Sequence, residues 1–183
     1  MASGFVPTFL SGIWLFLTTA CVTIAFGFDQ WVLLNQSNAG LWRVCVRDVC
    51  KWYWEQSRLT IDTDLPHWFI ACQVMFALAV GSILLCLCFL PFYMCICSRG
   101  GSCFTCLGRT VYSMLSSAAL IMGIALLVFG LEVHYSEGQE RIWGQKVKAL
   151  TWAFFLMVAG WCMTVISAVL FFVLHKRSQS HAI

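Results

Sequence analysis

Residues 69–97 read FIACQVMFALAVGSILLCLCFLPFYMCIC, a run without a single Asp, Glu, Lys, Arg or His. A bilayer core of about 30 Å is crossed by roughly 20 apolar residues at 1.5 Å rise each. Inside hydrocarbon the backbone has only itself to bond to, so such a run must be helical. Pro91 lies near its end and predicts a stop or a kink there. Outward from this segment, residues 9–28, 111–131 and 150–174 are equally free of charge and histidine. Four membrane-spanning helices follow. The first run lacks the basic leader of a signal peptide, because the first basic side chain is Arg43. It is expected to stay as a helix.

Composition agrees. Of 183 residues, 61% are hydrophobic and 10% charged, against about 25% charged in soluble domains. The net charge of +3 is small and its basic residues are scattered, which points away from nucleic acid or a strongly acidic ligand. Charges within spans mark ion pathways and proton relays; their absence from these runs argues against a pump or coupled transporter. The water-facing segments offer no nucleophile–base pair and no phosphate-binding loop. The expectation is a non-enzymatic protein with no cofactor or metal and with the lipid bilayer as its first partner.

Four spans put both termini on one side. The segments 29–68 and 132–149 carry seven Lys and Arg (Arg43, Arg47, Lys51, Arg58, Arg141, Lys146, Lys148), the opposite side four (Arg99, Arg109, Lys176, Arg177). Counted alone, the positive-inside rule would place the two longer loops in the cytosol. Chemistry points the other way. Asn35-Gln36-Ser37 is a glycosylation sequon, and Cys45 and Cys50 sit close enough to bridge, both favouring a lumenal or extracellular loop. The expected placement is the plasma membrane with both termini cytosolic.

The segment 29–68 is rich in aromatic and β-branched residues, which favour strands. Residues 31–34, 41–45 and 49–54 are strand candidates, with 35–40 as a turn-rich connection. A Cys45–Cys50 bridge would close a tight hairpin and contribute about 2 kcal/mol; two free thiols are the alternative. Trp31 and Trp42 would individually serve as membrane-boundary anchors.

Taken together, Asp29-Gln30-Trp31, Gly40-Leu41-Trp42, Cys45 and Cys50 resemble the W…GLW…C…C signature of the claudin superfamily. That group includes claudins, peripheral myelin and epithelial membrane proteins, lens fibre membrane intrinsic protein and calcium-channel gamma subunits. The resemblance extends over nearly the whole chain, 1–183, as one tetraspan domain. It implies an all-α membrane protein, a left-handed four-helix bundle carrying a small extracellular β-sheet. In that sheet Trp31, Gly40, Leu41 and Trp42 would pack at the membrane surface and the cysteine pair would staple two strands. The loop and the cysteine spacing are shorter than in true claudins and look more like lens fibre membrane intrinsic protein.

Further expectations attach to single features. Cys95, Cys97, Cys103 and Cys106 flank the short loop 98–110 and are candidates for S-acylation, with zinc binding and free thiols as alternatives. Ala77-x-x-x-Gly81 and Ala119-x-x-x-Gly123 would let helices approach closely. Trp52, Tyr53 and Trp54 are candidates for contact with a partner, because aromatics concentrate in interface cores. Two roles fit: cell–cell contact or lateral membrane organisation through the first loop, or an auxiliary subunit of an ion channel or receptor. The partner would be the same protein in cis or trans in the first case, and the channel or receptor in the second.

Overall fold

Each charge-free run forms a helix, and every helix outgrows its run. The computed structural model describes residues 5–34, 37–46, 49–53, 66–97, 102–136 and 147–180. Within these the chain order is α1 (Phe5–Gly27), β1 (Val32–Leu34), β2 (Ser37–Ala39), β3 (Arg43–Val46), β4 (Val49–Trp52), α2 (His67–Cys97), α3 (Ser102–Ser136), β5 (Val147–Leu150) and α4 (Trp152–Ser180). The 35 residues of α3 make a rod of about 52 Å at the helical rise, longer than the hydrocarbon. Counting apolar residues finds only the part in lipid. An established helix extends cheaply, one bond per residue fixed, so α3 continues through Arg109 at one end and Glu132 and His134 at the other. Pro91 does not stop α2, which runs on to Cys97.

The helices pack in the cyclic order α2, α3, α4, α1, with α1 closing back on α2. Large apolar side chains such as Phe16, Leu78, Leu120, Leu127 and Phe155 face outward, as lipid solvent requires. Inside, hydroxyls return to carbonyls one turn earlier: Thr18 and Thr19 donate to Trp14 and Leu15 at 2.8 Å, and Thr164 to Gly160 at 2.8 Å. No hydroxyl in this set is left to face hydrocarbon unpaired. Small residues set how closely helices approach. A Cβ on Gly160 would stand 2.6 Å from Val22 Cγ2, so α1 and α4 meet there backbone to side chain. Gly123 lies under Trp161, whose Nε1 donates to Ala119 O at 2.8 Å. The Ala119-x-x-x-Gly123 pattern thus seats α4 on α3. Gly81 of Ala77-x-x-x-Gly81 does not act in this way: a Cβ on it would meet nothing within 4 Å among the described residues.

The sheet is antiparallel throughout, in the order β4-β3-β2-β1-β5. Two of its strands depart from expectation. Ser37–Ala39, expected within a turn, forms β2 between β1 and β3. Ser, Asn and Ala are poor strand formers, but strand preference yields to neighbours on both sides. Residues 147–150, expected as loop and helix start, form β5 and add to β1, pairing Val32 with Leu150. The second loop therefore completes a sheet begun by the first, and α4 starts at Trp152.

Candidate functional site

The sheet is fixed to the bundle through Trp31. Its side chain is fully buried, and its Nε1 donates to Ala25 O at the end of α1 at 2.8 Å. The indole meets Phe76 of α2 at 5.2 Å, Phe129 of α3 at 5.3 Å and Phe154 of α4 at 6.1 Å, all edge to face. Its backbone links the two loops: Trp31 N donates to Ala39 O at 2.9 Å, and Thr151 N donates to Trp31 O at 3.0 Å. One residue thus touches all four helices and both loops. Edge-to-face pairs add about 0.5–1.5 kcal/mol each beyond area burial, so this is a structural keystone and not a boundary anchor.

Gly40, Leu41 and Trp42 form the second seam. A Cβ on Gly40 would lie 2.6 Å from Asp29 Cα and 2.8 Å from Phe28 O, so only glycine lets the strand cross the exit of α1. Leu41 is buried, and its carbonyl accepts from Gln73 Nε2 of α2. Gln73 was missed from sequence, although its signal is present: it is the only amide in the second apolar run. Trp42 packs edge-on against Phe26 at 5.2 Å, and its buried Nε1 has no hydrogen-bond partner among the described residues. On the other side, Gln30 receives α4: Thr151 Oγ1 donates to Gln30 O, and Trp152 Nε1 to Gln30 Oε1 at 2.8 Å.

Along the sheet, Cys45 and Cys50 are disulfide-bonded directly across the β3–β4 pair. Arg43 bonds Asp29 through Nε and lays its guanidinium 5.4 Å from the centre of the Trp52 ring. Asp29, Cys45 and Cys50 converge, but the thiols are joined to each other and the carboxylate is taken by Arg43, so they are not a metal-ligand set.

The aromatic cluster divides. Trp52 is 40% exposed and Val49 60% exposed, both on β4, one of the two edge strands of the sheet. Tyr53 corrects the expectation of a partner contact. It is buried, its hydroxyl donates to Gly40 O at 2.8 Å, and its ring meets Phe69 at 5.6 Å. Burial, with the Asp29 carboxylate adding to it, pushes this hydroxyl well above the usual phenol range and keeps it a donor. Trp54 and Asn35 lie outside the described residues. Cys95 and Cys97 fall in the last turn and a half of α2, and Cys103 and Cys106 in the first turns of α3; their side chains lie outside the described set.

Two comparisons bear on this geometry. A search of curated proteins gives no match. The family model described as PMP-22/EMP/MP20/Claudin matches residues 7–171, from the first helix through the sheet and well into α4. With four apolar helices long enough to cross a membrane and a sheet keyed in by Trp31 and the Gly40-Leu41-Trp42 seam, the chain belongs to the PMP-22/EMP/MP20/Claudin family.

Proposed function

We propose that this protein stands in the plasma membrane with its sheet outside the cell and both termini in the cytosol. There it makes cell–cell contacts, or organises neighbours laterally, through the β4 edge. The observation that carries this reading is an outer strand bearing exposed Val49 and Trp52. Sheet edges can pair with other chains, β4 has no strand on its outer side among the described residues, and a large aromatic on it supplies the kind of anchor that interfaces favour. The cystine supports an oxidising location for the sheet, as does the Asn35 sequon. The same protein, in cis or trans, is the first partner. No catalysis enters this reading.

The test is clustering of cells that express the protein. Val49→Lys with Trp52→Ala should abolish clustering while surface display is unchanged; clustering at the wild-type level removes the β4 edge as the contact. A second reading, an auxiliary subunit of a channel or receptor, is favoured by the half-buried Ala77-x-x-x-Gly81 stripe of α2, where a Cβ on Gly81 would meet nothing within 4 Å among the described residues and a partner helix could approach. Mild detergent extraction and mass spectrometry separate the two: a stoichiometric channel or receptor supports the second reading, its absence the first.

A further inference from the structure

On the outer surface of the bundle, α3 and α4 part to leave an apolar groove of about 370 Å³. The cause is the alternation of bulky and small side chains along the seam. At one end Trp161 is wedged over Gly123 and bonded to Ala119 O. At the other, Tyr112 and Phe172 meet at 5.2 Å. Between these props the walls carry Ser116 and Ala168, too small to fill the gap. Because the Trp161 N–H is already used, its indole presents only carbon to the groove. From Tyr112 to Leu120 the groove runs about 12 Å at the helical rise, close to one leaflet's share of a hydrocarbon core of about 30 Å.

The stripes that line the groove end in cations. On α3 the lining positions 112, 116 and 120 extend back to Arg109. On α4 the positions 161, 165, 169 and 172 extend forward to Lys176. Residues three and four apart share a helix face. Arg109 and Lys176 therefore lie about one turn beyond the Tyr112–Phe172 pair, at the bundle end where α2 leads into α3, and both are exposed. Neither is in an ion pair among the described residues.

We propose that this groove holds one acyl chain of an anionic phospholipid from the leaflet at that end, with the head-group phosphate and its added negative charge between Arg109 and Lys176. An apolar slot one leaflet deep selects a chain, and two cations at its mouth select the charge. The site is independent of which side of the membrane that leaflet faces.

Native mass spectrometry tests this on the full chain released from vesicles of equal parts phosphatidylserine and phosphatidylcholine with identical acyl chains. The wild-type protein should retain phosphatidylserine with a preference of about thirtyfold, the scale set by two basic side chains near a charged lipid surface. Arg109→Gln with Lys176→Gln should keep a bound lipid but lose the preference. Ser116→Leu with Ala168→Leu should lose the bound lipid of either kind. Equal retention of the two head groups by the wild-type chain, an undiminished preference in the charge variant, or unchanged retention in the filled-groove variant overturns the proposal.

Discussion

The two ends of this bundle are held by different means. At the sheet end, Trp31, Phe69, Phe76, Phe129 and Phe154 interlock, and the polar atoms of Trp31, Tyr53 and Gln73 each reach a specific carbonyl. Toward the other end, α3 and α4 meet at Trp161 on Gly123 and at the Tyr112–Phe172 pair, with a groove between. The difference follows from solvent. The sheet and its joint with the helix ends stand where water competes for backbone groups, and there apolar burial is favourable at roughly 25 cal/mol per Å². Within lipid no such drive exists between helices, and packing of small residues against indoles must suffice. Directed ring contacts and hydrogen bonds are thus concentrated where the sheet joins the bundle.

That contrast can be broken from either side. The largest effect should come from Trp31→Ala, which removes a buried indole contacting all four helices; a loss of about 4 kcal/mol is expected, read from chemical unfolding in detergent micelles. Gly40→Ala should cost about 3 kcal/mol, because the new Cβ overlaps backbone that cannot retreat; a fall in thermal midpoint reports it. Cys45→Ser with Cys50→Ser should cost about 2 kcal/mol by loop entropy, measured the same way and matched by adding reductant to the wild-type chain. Trp161→Phe should cost the least. It keeps most of the packing and loses one hydrogen bond within lipid, a contribution averaging about 0.6 kcal/mol, so its unfolding midpoint should barely move. A loss from Trp161→Phe as large as that from Trp31→Ala would erase the distinction between the two ends.

The spans were legible because lipid leaves a one-dimensional record: a charge-free run of sufficient length can only be a helix. The family was legible in Trp31, Gly40-Leu41-Trp42 and the cysteine pair, since each answers a demand of the joint. β2 was not, because Ser37, Asn38 and Ala39 have little strand preference of their own and are held extended by β1 and β3 on either side; β5 was not, because Val147–Leu150 becomes a strand through β1, far away in sequence. Tyr53 was misread by grouping it with its neighbours. Tyr53 lies just past the end of β4, where its N–H donates to Trp42 O at 3.2 Å and the chain carries its ring inward against Phe69; the neighbouring residues alone carry no trace of that turn. The partners of the Trp31 indole come from three separate helices, and only the closed bundle brings them together.

The central claim is that Trp31 locks both loops to the bundle as a single unit. Hydrogen–deuterium exchange of β5 and Thr151 tests it most directly, because these amides lie far from Trp31 in sequence yet depend on it in space. In Trp31→Ala their protection should collapse together with that of β1 and β2, while the midportions of α2 and α3 stay protected. Retained protection across Val147–Thr151 in that variant would contradict the account.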